Sequence, residues 1–233
     1  MKHTINLNQF AGLSELIQIR SKPILWALVS FIVYFGFVVL GSELQRNLDL
    51  NLDYGWGQQI ISLFAVLIFA YFHKNPKELL SLNLPKEKMW LVKTFVIAIL
   101  TILVGILVSY LMNETTELKN TEYYIYQSFM PSVAEEIGLR GLFLGFLLYY
   151  LKQNNAKNYL VYLLLFIHTI PFGILHILET TNSFEAILIY LFTSFAAFVF
   201  AYLRLIYNSI LPCIIAHTII NVGGNIIGYL LLN

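Results

Sequence analysis

The chain has 233 residues, of which 58% are hydrophobic and only 12% carry a charge. A soluble domain carries about 25% charged residues, so this composition excludes an ordinary soluble fold and indicates an integral membrane protein. The formal net charge of +1 says nothing about partners, and a single cysteine excludes an intramolecular disulfide and a cysteine-rich metal site.

Seven apolar segments approach the length of about 20 residues that a transmembrane helix needs. They are Pro23–Leu40, Trp56–Phe72, Trp90–Met112, Tyr126–Tyr150, Tyr159–Ile177, Phe184–Leu203 and Ile210–Leu232. The second is the weakest, because Gln58 and Gln59 shorten its apolar run. The predicted fold is therefore all-α, a polytopic transmembrane helical bundle of about seven spans.

The charges between the spans predict an orientation. Ten Lys and Arg residues lie on one side of the predicted spans, and two, Arg46 and Lys119, lie on the other. The positive-inside rule then places residues 1–22 in the cytoplasm as an N-terminal tail and the C-terminus outside. This tail has no apolar core followed by a small-residue cleavage site, so we expect no cleaved signal peptide.

Three charged residues, Glu135, Glu136 and Arg140, lie within the fourth span. An ionised group at the centre of a spanning helix costs about 2.5–3.5 kcal/mol, so such residues indicate a functional site that faces the protein interior. The spacing of Glu136 and Arg140 favours an ion pair on one helix face. Glu135 is rotated by about 100°, which leaves its carboxylate to face water as a general base. The alternative is a structural ion network, in which Glu135 would have no partner.

Two further polar pairs lie in later spans at a spacing of four residues. Phe172 and His176 share a face of the fifth span, close to Pro171, which is expected to bend the helix. His217 and Asn221 share a face of the seventh span and can both donate hydrogen bonds to an oxyanion. The alternative for each pair is hydrogen bonding between packed helices.

Two observations complicate this interpretation. Cys213 lies one turn before His217 and raises a cysteine–histidine site as an alternative, although a thiol in apolar surroundings is usually inert. With straight spans, Glu135 and His176 lie toward the outer ends of their helices, whereas His217 lies nearer the cytoplasmic end of its own. Broken helices near Pro171 and Pro212, or different span limits, would bring these residues together.

The three motifs, Glu135-Glu136-x-x-x-Arg140, Phe172-x-x-x-His176 and His217-x-x-x-Asn221, resemble those of the CPBP (Abi) family of intramembrane proteases. This family contains the CAAX prenyl endopeptidases and the bacteriocin-processing or bacteriocin-immunity proteins. The resemblance covers residues 123–233, which would form the catalytic core from the last four spans. Residues 23–122, with the first three spans, match it only in being transmembrane.

The resemblance implies a role for each motif. Glu135 and His176 would activate the attacking water, Glu136 and Arg140 would support the site, and His217 and Asn221 would stabilise the oxyanion. We expect no cofactor. The alternative is zinc or another divalent metal bound by Glu135, His176 and His217, a ligand set that a catalytic zinc site can use.

The predicted function is an intramembrane endopeptidase in the cell membrane that hydrolyses a membrane-associated peptide or prenylated protein, with bacteriocin processing or self-immunity as its role. The alternatives are a catalytically silent membrane scaffold or immunity protein, which would act by helix contacts, and a small transporter. Transporters commonly carry inverted repeats, and the sequence shows none. The expected partners are membrane lipid and a peptide or membrane-anchored protein substrate, without nucleic acid.

Overall fold

The structure, a computed structural model, describes residues 22–48, 52–73, 75–178 and 180–233. Within these ranges the chain forms helices and no strands, so the predicted all-α fold is confirmed. The predicted cytoplasmic tail, residues 1–22, lies outside the described residues except for Lys22.

The helices follow one another with short connections. In chain order they are α1 (Pro23–Asn47), α2 (Trp56–Tyr71), α3 (Pro76–Leu79), α4 (Trp90–Leu111), α5 (Thr121–Glu135), the π-helical segment π1 (Glu136–Phe143), α6 (Leu144–Gln153), α7 (Asn158–Leu175), α8 (Ser183–Tyr207), α9 (Leu211–Thr218), the π-helical segment π2 (Ile219–Gly223) and α10 (Gly224–Leu232). The segments α5, π1 and α6 form one continuous rod, and α9, π2 and α10 form another.

The prediction of about seven spans agrees with these helices. Five helical stretches in the described residues are long and apolar enough to cross a membrane: Pro23–Asn47, Trp90–Leu111, Asn158–Leu175, Ser183–Tyr207 and Leu211–Leu232. The apolar helix α2 is shorter, and the rod of α5, π1 and α6 occupies the fourth predicted span. Large apolar side chains such as Ile32, Phe64, Phe166 and Leu230 are more than 60% exposed, as expected where helices face lipid rather than water.

Small residues allow α1 and α2 to pack closely as an antiparallel pair. A Cβ atom added at Gly41 would lie 2.3 Å from the carbonyl oxygen of Gly57, so only glycine permits this approach. The pair packs against the fourth span, with α1 on π1 and α6 and α2 on α5. Tyr34 of α1 lies over Gly138, where an added Cβ would be 2.6 Å from the tyrosine ring. The N-terminal helices therefore reach the charged part of the fourth span.

The later helices cover the other side of the fourth span. Helix α7 packs against α8, α8 packs against α9, and α9 packs against α5 and π1. His168 of α7 donates from Nε2 to the Leu139 carbonyl oxygen at 3.3 Å and stacks on Phe143. This contact fits the helix-packing role that is typical of a membrane histidine. The fourth and seventh spans are thus direct neighbours, which positions their polar residues.

Both rods change to π-helix where the polar motifs occur. Segment π1 begins at Glu136 and contains Arg140, and π2 begins two residues after His217 and contains Asn221. A π-helix is rare and is found mostly as a single wide turn inside an α-helix, often at a functional site. The spacing of the motifs predicted a regular α-helix in both regions.

Candidate active site

A buried ionic cluster lies where the fourth and seventh spans meet. Glu136 Oε1 accepts a hydrogen bond from Arg140 Nη1 at 3.0 Å and another from His217 Nδ1 at 2.8 Å. The side chains of Glu136 and Arg140 are completely buried, and that of His217 is 7% exposed. The predicted ion pair is therefore present. The carboxylate of Glu136 neutralises Arg140 and holds His217 at the same time.

Two aromatic rings enclose this cluster. The guanidinium carbon of Arg140 lies 4.6 Å from the ring centre of Phe172 and 5.2 Å from that of Phe200. Phe200 also stacks on the His217 ring at 4.9 Å. A cation over an aromatic face is stabilised by the ring quadrupole, and more strongly when water is excluded. The aromatic rings thus fix Arg140 and His217 in a dry environment.

Glu135 faces a different set of neighbours from Glu136, as the rotation between adjacent helical residues predicted. Its side chain is half-buried, and Oε1 accepts a hydrogen bond from Gln59 Nε2 of α2 at 3.3 Å. The hydroxyls of Tyr34 and Tyr126 are close enough to interact electrostatically with this carboxylate. The expectation that a structural network would leave Glu135 without a partner is wrong, because Gln59 is its partner.

The second residue of the seventh-span motif, Asn221, bonds to α5 and not to the ionic cluster. Asn221 Nδ2 donates to Gln127 Oε1 of α5 at 2.8 Å, and one turn earlier Thr218 Oγ1 donates to the Ser128 carbonyl oxygen. Asn221 also lines a cavity of about 280 Å³ between α4, α8 and π2, whose other walls are mainly apolar. The second N–H of this amide has no partner within the described part of the chain, so at the edge of the cavity it is able to donate to a bound carbonyl oxygen.

His176 lies at the end of α7, one residue beyond its last helical position. Its Nδ1 donates to the Phe172 carbonyl oxygen at 2.8 Å, which leaves the lone pair on Nε2 available. The imidazole is exposed and packs on the Phe172 ring at 4.4 Å, so Phe172 separates it from Arg140. No hydrogen bond joins His176 to Glu135 among the described residues.

The two complications raised by the sequence are explained by the coordinates. The fourth rod begins at Thr121, five residues before the predicted limit, so Glu136 lies in its middle and meets His217 directly. The estimate that His217 lies at a different depth was therefore wrong, because the span limit was placed too late. Cys213 donates its thiol hydrogen to the Phe200 carbonyl oxygen at 3.1 Å, inside the protein, as an inert buried thiol would.

The three residues of the alternative zinc site do not form a ligand cluster. Among the described residues, no three His, Cys, Asp or Glu side chains lie close enough together to hold a metal ion. His217 uses Nδ1 for Glu136, whereas Glu135 bonds to Gln59 and His176 bonds to its own helix. Whether the reaction uses a metal stays a prediction.

Sequence reasoning missed the two glutamines that contact the polar motifs. Gln59 was treated only as a weakness of the second span, and Gln127 was not singled out. Both contacts had the same signal, an amide within an otherwise apolar span. An amide in such a span needs a partner, because an unsatisfied polar group in the bilayer core is costly.

A comparison with protein families supports the CPBP resemblance independently. Residues 118–223 match the family described as type II CAAX prenyl endopeptidase Rce1-like, which confirms the CPBP resemblance. All six predicted site residues lie inside the matched region, whereas α1, α2 and α4 lie outside it. Comparisons with curated proteins and with solved structures gave no significant match.

Proposed function

We propose that this multi-pass membrane protein is an intramembrane endopeptidase, because residues 118–223 match the Rce1-like type II CAAX prenyl endopeptidase family. Glu135 is the general base and His176 assists it. The observation that carries the proposal is the Glu136 carboxylate shared by Arg140 and His217, a pre-formed and buried polar site within the membrane-spanning helices.

The first step is attack by water on the peptide carbonyl. Glu135, the only carboxylate of the pair not neutralised by Arg140, removes one proton as the water oxygen bonds to the carbonyl carbon. The lone pair on His176 Nε2 accepts the other O–H of the water and orients it. A positioned general base contributes about 100- to 10,000-fold to a rate.

The second step is collapse of the tetrahedral intermediate. Its oxyanion accepts a hydrogen bond from the free N–H of Asn221 and, when His217 is protonated, another from Nε2 of that ring. Glu136 accepts from Nδ1 of the same ring and so holds the ring in its orientation. The C–N bond then breaks, and the departing nitrogen takes the proton that Glu135 removed from water.

The test uses the full chain in lipid vesicles with two probes: a farnesylated peptide that ends in a CAAX sequence, and the same peptide without the lipid. We expect cleavage that falls by about 100- to 10,000-fold in Glu135→Gln. The matched control is Glu185→Gln, at the exposed start of α8, which should cleave like the wild type. Full activity of Glu135→Gln would overturn the proposal. Cleavage of the non-prenylated peptide alone would assign a peptide substrate instead of a prenylated one.

One observation favours the second candidate, a membrane scaffold with a silent site. The hydrogen bond that His176 makes stays within its own helix, and its ring is exposed, so the two groups that would share a water do not contact each other. A wild-type protein that cleaves neither peptide under these conditions, while its site variants keep their biological effect in cells, would establish the scaffold.

A further inference from the structure

Gln59 is a buried amide in the first turn of an apolar helix that lies outside the family match. It lies in α2, is only 6% exposed, and is followed mainly by apolar residues up to Tyr71. Its one hydrogen bond to a carboxylate joins Nε2 to Glu135 Oε1 at 3.3 Å. The first half of the chain therefore contributes a direct contact to the carboxylate that the proposed function makes the base.

The other end of the same amide is unpaired. Gln59 Oε1 is buried and has no hydrogen-bond partner among the described residues. A buried acceptor without a partner is unfavourable, so packing alone would be served better by leucine or methionine. The contact with Glu135 explains why the donor, and not the acceptor, faces the carboxylate. Rotating the amide would place its oxygen against a carboxylate oxygen.

The surroundings hold Gln59 in this orientation. The Tyr126 hydroxyl lies near the side-chain amides of Gln58 and Gln59. Ser62, one turn further along, donates to the backbone carbonyl oxygen of Gln59 at 3.1 Å, a contact to the helix and not to the amide. Close packing at Gly41 and Gly57 fixes α2 two residues before Gln59. A side chain that projects from a closely packed helix is able to fix the position of the group to which it bonds.

We propose that Gln59 is a positioning residue for Glu135. Its N–H occupies one oxygen of the carboxylate and so leaves the other oxygen to take the proton from water. The role rests on the proposed function, since it matters only if Glu135 is the base. It would also explain how the first three spans take part in the chemistry, through a hydrogen bond and not only by anchoring the catalytic core.

The experiment compares Gln59→Met with the wild type in the vesicle assay. Methionine has nearly the same shape but neither donates nor accepts in this way. We expect kcat to fall by about 10- to 100-fold, as for a small misplacement of a catalytic group, with KM within about twofold. Thermal stability should stay the same or increase, because the unpaired acceptor is removed as well. A purely structural role would instead lower stability and activity together.

Two further variants make the outcome decisive. Ser62→Ala changes a neighbouring buried polar residue of α2 that bonds only to its own helix, and it should keep the wild-type kcat. Gln59→Asn keeps the donor on a shorter stem and should recover part of the lost kcat. Wild-type kcat in Gln59→Met, in a preparation where Glu135→Gln is inactive, overturns the inference and leaves the proposed function intact. Activity in Glu135→Gln overturns both.

Discussion

Glu136 and His217 are 81 residues apart in the chain, yet Nδ1 of the histidine donates to the carboxylate at 2.8 Å inside the protein. This hydrogen bond links the fourth and seventh spans at the centre of the candidate site. It also makes Glu136 the shared acceptor for two basic side chains, since Arg140 bonds to the same oxygen.

The Arg140 guanidinium should be essential for folding as well as for activity. Arg140→Leu leaves Glu136 as a buried charge without its strongest partner, which typically costs 3–5 kcal/mol (order of magnitude). We expect a clear loss of thermal stability in detergent, measured by the unfolding of the purified protein. Arg46→Leu is the control, because Arg46 pairs with Glu43 at the exposed end of α1 and should change stability little. Equal stability of the two variants would contradict this prediction.

Two glycines of α1 offer a matched test of the close packing between α1 and α2. Gly41→Ala places a methyl group against the Gly57 backbone and should destabilise the protein. Gly36→Ala meets no atom within 4 Å, so it should be neutral or stabilising by about 0.5–1 kcal/mol from helix propensity. Thermal unfolding of both variants gives the measurement. If Gly41→Ala is as stable as Gly36→Ala, the two helices are not packed as described.

Gln127 should influence the reaction through Asn221. Gln127→Leu removes the acceptor that holds the Asn221 amide at 2.8 Å, and we expect kcat to fall several-fold with little change in stability. Asn221→Ala removes the donor itself and should reduce kcat more. Ser128→Ala, next in the chain, loses only a bond to its own helix and serves as the control. A larger effect of Gln127→Leu than of Asn221→Ala would refute an oxyanion role for Asn221.

Glu122 should hold the connection between α1 and α2 against the start of α5. Its carboxylate accepts from Trp56 Nε1 at 2.9 Å and from the Asp53 backbone N–H at 3.3 Å. Glu122→Ala removes both bonds, so amide hydrogen exchange around residues 52–56 should become faster. Glu114→Ala, exposed in the loop that precedes α5, should leave that exchange unchanged. Unaltered exchange in Glu122→Ala would show that the stacking of Tyr54, in this connection, on Tyr126 of α5 is sufficient.

Chelation should leave peptide cleavage unaffected. The three residues that would bind zinc do not gather among the described residues, and His217 already uses Nδ1 for Glu136. Treatment with a strong chelator followed by metal analysis provides the measurement. Loss of cleavage that zinc restores would instead indicate that Glu135, His176 and His217 come together around a metal.

Hydrophobicity and local spacing were sufficient to predict the helices and one contact of the site. Span limits depend on runs of apolar residues, and the bond between Glu136 and Arg140 depends on a separation of four residues in one rod. The bond between Glu136 and His217 depends on how two distant rods face each other, which neither property encodes. The fourth rod begins at Thr121, earlier than predicted. The predicted limits therefore placed these two residues at different depths in the membrane, although they lie at the same level.

Gln59 and His176 show two further limits of sequence reasoning. The motif identifies His176 but gives no information about its exposure, because that depends on where α7 ends and on what covers its last turn. Gln59 lies before the motif region, and its contact with Glu135 depends on how α2 and α5 pack, which no local pattern encodes. Polar side chains in neighbouring spans would have been a useful signal, since each needs a partner within the bilayer.

The π-helical segment at residues 136–143 has a mechanical consequence for the fourth rod. A wide turn takes up roughly one more residue than an α-helical turn, so α5 and α6 are out of phase with each other. Deleting one residue here would restore a regular α-helix but swing α6 by about 100°. Gly145 now packs against the Leu79 backbone, where an added Cβ would lie 2.7 Å from the carbonyl oxygen. The deletion would move Gly145 away from this position. The widened turn thus lets one rod present its charges to the seventh span and its glycine to α3.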